Sequence, residues 1–182
     1  MSVTNDQPTT DPAEFAGEEK ILAFCLGSED YGLEILKVRE IIGLIDITPL
    51  PRTPDYVKGV MNLRGRIIPV IDLRLKFGLS AAEPTKETCV IVVEGGTDDE
   101  RTTMGVVVDS VREVQDIPRS AIEEAPAFGC EIPLDYIQGM GKVKDRVVVL
   151  LDSARVLSTS EMRALTTAAA AETGDEPVRA AA

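Results

Sequence analysis

Tyr56-Val57-Lys58-Gly59-Val60-Met61-Asn62-Leu63-Arg64-Gly65-Arg66-Ile67-Ile68-Pro69-Val70-Ile71-Asp72-Leu73 is the stretch on which the fold turns. It reads as two strands, Val57 to Leu63 and Ile67 to Leu73, around a tight turn at Arg64-Gly65-Arg66. Gly65 supplies the positive φ that such a turn needs. The second strand is an apolar run broken by Pro69, which lacks an N–H for a ladder and so marks an edge or bulge position. Asn62, Leu63 and Gly65 surround a turn that holds one guanidinium, Arg64, away from the sheet.

The same pattern returns eighty positions later in Tyr136-Ile137-Gln138-Gly139-Met140-Gly141-Lys142-Val143-Lys144-Asp145-Arg146-Val147-Val148-Val149-Leu150-Leu151-Asp152. Without a gap, Tyr56 falls on Tyr136, Gly59 on Gly139, Arg66 on Arg146 and Asp72 on Asp152. The tip Arg64-Gly65 becomes Lys144-Asp145, again a basic residue before a turn former. Upstream, Gly32 to Ile41 lies on Gly105 to Val114, with Val38-Arg39-Glu40-Ile41 matching Val111-Arg112-Glu113-Val114. A third, weaker match sets Ile21 to Leu26 against Cys89 to Glu94. Three blocks in the same order in both halves are an internal duplication. Two copies are too few for a solenoid, so two similar subdomains packed on each other are expected.

Working outward, Lys20 to Leu26 is the first strand, Gly27 to Asp30 its turn, and Gly32 allows close backbone approach. The spacing of Ile35, Val38 and Ile41 gives a helical turn near Glu34 to Val38 before a strand to Leu44. Three prolines make Ile47 to Pro54 an extended connection. After Leu75 to Ser80 and a polar linker, Ala81 to Glu87, the second half has a strand from Thr88 to Glu94. An acidic loop, Gly95 to Thr102, follows, then an apolar strand at Thr103 to Ser110 that continues as extended chain over Val111 to Ile117. A short helix is expected around Ser120 to Glu124, and another starts at Asp152 to Leu157. Asp72 and Asp152, at repeated strand ends, read as caps of the turns that follow. Many short strands with frequent turns give an all-β fold of two small barrels side by side, with short helices. The first barrel spans about 20–80 and the second about 88–157, with strands exchanged near the termini as a variant. Met1 to Glu19 reads as a disordered acidic tail and 158–182 as a C-terminal helix or frayed tail.

Composition bounds the function. The 182 residues hold 31 acidic and 19 basic side chains, a net charge of −12. Arg52 to Lys76 carries six basic residues against Asp55 and Asp72, whereas Glu83 to Asp135 carries thirteen acids against four bases. An acidic chain with no Trp is a poor match to nucleic acid, so a single-stranded nucleic-acid-binding barrel is the weaker alternative. One basic and one acidic half instead suit protein partners. There is no His, which removes the commonest general base and metal ligand. No metal site or cofactor motif is read, and a carboxylate pair from Asp72 and Asp152 is the nearest thing to a catalytic set. Cys25, Cys89 and Cys130 are far apart and read as small apolar residues. No apolar run approaches the ~20 residues of a membrane span, and the N-terminus has no secretory pattern; a cytoplasmic protein is expected.

The run Leu33 to Ile41, the hairpin Tyr56 to Leu73 with Asn62-Leu63-Arg64-Gly65 at its turn, and Gly105 to Val111 together resemble CheW, the bacterial chemotaxis coupling family, over about Lys20 to Leu157. The resemblance implies two five-stranded SH3-like barrels around a shared apolar core. It implies a non-enzymatic adaptor linking the cytoplasmic tip of a methyl-accepting chemoreceptor to the regulatory domain of the histidine kinase CheA. It further implies recruitment to membrane receptor arrays without insertion into the membrane, and a monomer when alone. A chemosensory system with an output other than motility is the variant of this reading. By position, Arg64 and Glu40 become the polar residues of the binding surface, Val38 and Val114 its apolar groove, and Asn62, Leu63 and Gly65 its tip.

Overall fold

The computed structural model describes residues 17–97, 100–126 and 132–156. The expected tail before Gly17, Cys130 and the expected C-terminal helix beyond Val156 lie outside the described residues.

Among the described residues eleven strands form two sheets: β1 (Glu18–Leu26), β2 (Glu29–Glu34), β3 (Val38–Gly43), β4 (Val57–Leu63), β5 (Arg66–Asp72), β6 (Cys89–Thr97), β7 (Glu100–Val108), β8 (Ser110–Pro118), β9 (Ile122–Glu123), β10 (Ile137–Val143) and β11 (Arg146–Leu151). Their orders are β3-β6-β7-β5-β4 and β8-β1-β2-β11-β10-β9. Neither sheet is built from one half of the chain. The β1–β2 hairpin sits between β8 and β11, and its counterpart β6–β7 sits between β3 and β5. The inserted hairpins join their hosts through parallel pairs, Leu150 with Gly32 and Val70 with Gly105. The exchange is therefore reciprocal, and residues 80–88 do not separate the two sheets. Because the halves are duplicates, each presents the same two strand edges, and the alternation inside a hairpin does not record which copy it joins.

Burial follows from the period of two along each central strand. Val90 and Val92 of β6 point into a core with Met61, Ile68, Val70 and Val107, while Ile91 and Val93 point the other way. In the second sheet Val148 and Leu150 join Ile21 and Ile117. The outward faces of both sheets meet in one shared core, which holds Leu22, Phe24, Leu26, Tyr31, Ile71, Ile91, Val93, Val149 and Leu151. Strands buried on both faces read as continuous apolar runs, which is why they stood out in the sequence. Lys76 lies over the rings of the duplicated Tyr56 and Tyr136 at 5.1 and 5.6 Å and donates to the Val156 carbonyl at 2.6 Å, tying the two halves together.

Each barrel closes through a short segment packed on a glycine. Thr48 pairs with Val60 beside Gly59, whose φ is +135°, and β9 pairs with β10 beside Gly139. The two-residue β9 is thus the counterpart of the Thr48 bridge, and five main strands remain in each subdomain. Pro69 stands just ahead of the three-residue ladder that β5 makes with β7, where no N–H is required.

Several boundaries move. β1 begins at Glu18 because Glu18 and Glu19 pair with Pro118 and Ile117. β5 ends at Asp72, which caps helix α1 (Leu73–Lys76) by accepting from the amides of Arg74 and Leu75. Asp152 accepts from the amides of Ala154 and Arg155 at the start of helix α2 (Ser153–Val156). The two carboxylates thus serve as caps. The expected acidic loop Gly95 to Thr102 is mostly strand: Gly95 pairs with Thr102, Gly96 with Arg101 and Thr97 with Glu100. The Thr-rich partner strand carries the ladder past the glycines. The helix expected at Ser120 to Glu124 is a single 3₁₀ turn, Arg119–Ala121, and Ile122 and Glu123 go to β9 to close the barrel. The weak third match is one residue out of step. Val114 pairs with Leu22 and its duplicate Ile41 with Ile91, so Leu22 corresponds to Ile91, where the sequence match set it against Val90. A one-residue slip exchanges the two faces of a strand.

Candidate functional site

The β4–β5 hairpin turns in two residues, Arg64 (φ 51°) and Gly65 (φ 84°), with Leu63 paired to Arg66. Positive φ at both central positions matches the twist of the flanking strands. Asn62 accepts the Gly65 amide through its side-chain oxygen at 2.9 Å and so sets the turn. Leu63 packs inward on the first barrel core. Of the four tip residues, Arg64 alone reaches outward with a charge.

Glu40 of β3 receives it. Arg64 Nη1 and Nη2 donate to Glu40 Oε1 and Oε2 at 2.9 and 2.8 Å, a bidentate pair. The Arg64 side chain is 75 % exposed and that of Glu40 25 %. The carboxylate is therefore rooted in the barrel wall while the guanidinium faces solvent. Two of its five N–H donors are used this way, and the fork is held in one orientation. Beside the pair, Arg39 and Arg101 both bridge to Glu94. Sequence reasoning missed these neighbours. Arg39 had its signal in the repeated Val-Arg-Glu block and Glu94 closed the strand expected from Thr88, but Arg101 sits where a loop was expected.

The tip occurs twice. Lys144 (φ 54°) pairs with Glu113 at 3.4 Å, in the positions of Arg64 and Glu40. Here both side chains are open, 77 % and 62 % exposed. Gln115, then Lys144, hold the Glu113 carboxyl below its ordinary value.

The two apolar residues expected to line a groove lie in different sheets. Val38 lies in the five-stranded sheet and packs at the margin of the shared core. Val114 lies on β8 in the other sheet and is 50 % exposed. Its duplicate is Ile41, also exposed, whereas that of Val38 is Val111.

A cavity of about 500 Å³ opens between β2, β8, β10 and β11, lined by Asp30, Tyr31, Arg112, Met140 and Arg146 among others. Asp30 accepts from Arg112 Nε at 3.0 Å and from Arg146 Nη1 at 3.2 Å, and Cys25 Sγ donates to it at 3.0 Å. Burial pushes the Asp30 carboxyl up, but the bonds from Cys25 and Arg112, the Arg112 charge and the Arg146 bond outweigh it and leave it below its ordinary value. Burial, then the Asp30 bond, push the Cys25 thiol up. Cys25 is thus a hydrogen-bonded thiol as well as an apolar filler, a role the sequence did not reveal.

With this geometry in hand, comparison with known proteins is specific. A model of the CheW-like domain matches residues 20–161. Chemotaxis protein CheW of Klebsiella aerogenes is 40 % identical over 153 residues, spanning 82 % of this chain and 90 % of that protein. Chemotaxis protein CheW of Helicobacter pylori is 37 % identical over 139 residues, spanning 76 % and 81 %. The crystal structure of scaffolding protein TtCheW from Thermoanaerobacter tengcongensis superposes with a TM-score of 0.67 at 36 % identity, covering 74 % of this chain and 89 % of that one. The chain belongs to the CheW family of chemotaxis coupling proteins.

Proposed function

We propose that this chain is a non-catalytic adaptor that joins the cytoplasmic tip of a chemoreceptor to the regulatory domain of the histidine kinase CheA. It works from the cytoplasm, within receptor–kinase arrays at the membrane, and without inserting into the bilayer. The observation that carries this reading is the Arg64–Glu40 pair: a guanidinium fixed by two hydrogen bonds yet 75 % exposed at the hairpin tip. An arginine held in this way suits bidentate contact with a partner's carboxylate or carbonyl groups. Glu40 keeps the fork oriented, Asn62 and Gly65 shape the turn, Leu63 anchors it, and Val38 and Val114 supply apolar contact on either sheet. Membership of a family whose relatives are named chemotaxis proteins, one of them a scaffolding protein, supports the same reading.

Reconstitution tests it. Receptor signalling tips, purified CheA and the chain are mixed and sedimented, and kinase autophosphorylation is followed in parallel. The expected outcome is that CheA sediments with receptor, and its activity responds to receptor, only when the chain is present. A kinase indifferent to the chain at saturating concentration refutes the adaptor role.

A further inference from the structure

The duplication makes the same groove twice, and the two copies differ in charge. In the first barrel a cleft of about 390 Å³ runs beside the hairpin tip, with Arg39, Arg64, Arg66 and Arg101 against Glu40 and Glu94. In the second barrel the equivalent cleft, about 350 Å³, carries Arg112, Lys144 and Arg146 against Asp30, Glu113 and Asp145. The second cleft is balanced, whereas the first has two positive charges in excess.

One position accounts for one of these two charges and leaves an arginine unmatched. Arg66 and Arg146 are duplicates at the first residue of β5 and β11. Arg146 is held by Asp30 at 3.2 Å. The registers Val70 with Gly105 and Leu150 with Gly32 place Thr103 where the second barrel has Asp30, and Thr103 lines the first cleft as Asp30 lines the second. A hydroxyl cannot neutralise a guanidinium. Arg66 is exposed and makes no hydrogen bond or ion pair among the described residues, whereas Arg39, Arg64 and Arg101 each have a carboxylate.

We infer that the first-barrel cleft docks an acidic segment of a protein partner, with Arg66 as the arginine that takes its carboxylate. The inference deepens the adaptor reading and rests on it, because it names the chemistry of the face that one of the proposed partners presents. A cleft of this size admits a few side chains of one short segment. The excess charge sits inside a chain of net charge −12, so it is a local attraction in a repulsive surround and gives the partner's approach its register. The second-barrel cleft, already balanced by its own carboxylates, has no unmatched cation to offer and does not compete for the same segment.

The test uses the full chain in four forms: wild type, Arg66→Gln, Thr103→Asp and Thr103→Asn. Thr103→Asp supplies the carboxylate that Asp30 supplies in the other barrel and so occupies Arg66 from within. Each form is titrated with the CheA regulatory domain and with a receptor signalling tip across a range of NaCl concentrations, and circular dichroism verifies folding. Arg66→Gln and Thr103→Asp are expected to weaken binding to one partner about tenfold and to flatten its salt dependence, whereas Thr103→Asn binds like wild type. Unchanged affinity in both charge variants overturns the inference and leaves the adaptor role standing. A wild-type chain that binds neither partner overturns both. Sedimentation of the chain alone covers the remaining occupant: self-association lost in Arg66→Gln and Thr103→Asp puts a second copy in the cleft and overturns the assignment to a different protein.

Discussion

Gly59→Ala is the sharpest test of how the first barrel closes. A Cβ at this position would stand 1.9 Å from the Thr48 carbonyl oxygen and 2.8 Å from Pro49 Cα, and φ is +135°. The 48–49 segment has to withdraw. That breaks a reciprocal pair, Thr48 N–H to the Val60 carbonyl at 2.8 Å and Val60 N–H to the Thr48 carbonyl at 2.9 Å. Two hydrogen bonds at about 1 kcal/mol each and backbone strain of about 1–3 kcal/mol add to roughly 3–5 kcal/mol. The small buried contact of Leu50 with Val60 loosens as well. Gly65→Ala is the matched comparison: φ is +84° and nothing lies within 4 Å, so strain acts alone and costs about 1–2 kcal/mol. Urea unfolding followed by far-ultraviolet circular dichroism suits a chain without Trp. With a slope of about 2 kcal/mol per M, Gly59→Ala lowers the midpoint by about 2 M and Gly65→Ala by less than about 1 M. Equal midpoints for the two variants would refute the closure argument.

Asp30→Asn is expected to lose roughly 1–3 kcal/mol at neutral pH, since it weakens charge-assisted bonds to Arg112 and Arg146. The folded carboxyl titrates below its ordinary value of 3.8, so its stabilising effect is complete above that pH and fades as pH falls through the folded value. Unfolding curves of wild type and variant therefore converge in acid below pH 3.8, and a gap constant with pH contradicts the assignment. Lys76→Ala removes an ammonium shared by two aromatic rings and a carbonyl. Thermal unfolding should show a loss of about 1–3 kcal/mol, and an unchanged melting temperature counts against its role as a tie between the subdomains.

The elements most legible in the sequence were those whose signal is local. The hairpin at Arg64-Gly65 showed its turn chemistry, and the caps at Asp72 and Asp152 showed themselves by repetition at strand ends. The duplication was legible because both copies must solve the same packing problem: Gly32 and Gly105 each face a crowded barrel interior in which Ile21 and Val90 leave no room for a Cβ. What stayed hidden depends on pairing between distant strands. The reciprocal exchange of β1–β2 and β6–β7 leaves no local trace, because each hairpin meets the same edges in either copy. The one-residue slip in matching β1 to β6 arose because both are apolar on two faces, so no polar position fixed the register. Arg64 and Glu40 were readable as candidates. Their bidentate contact, and Arg66 beside it without a carboxylate among the described residues, required knowing that β3 closes against the β4–β5 tip.

The central claim is that the Arg64 tip binds a partner and does not hold the fold. The most direct measurement titrates the CheA regulatory domain and a receptor signalling tip separately into wild type and Arg64→Ala, with urea unfolding of both proteins alongside. An exposed ion pair contributes at most about 1 kcal/mol to folding, whereas an interface anchor is worth about 1–3 kcal/mol in binding. The predicted result is a near-unchanged unfolding midpoint with affinity for at least one partner reduced about tenfold or more. Full affinity for both partners in Arg64→Ala would contradict the account.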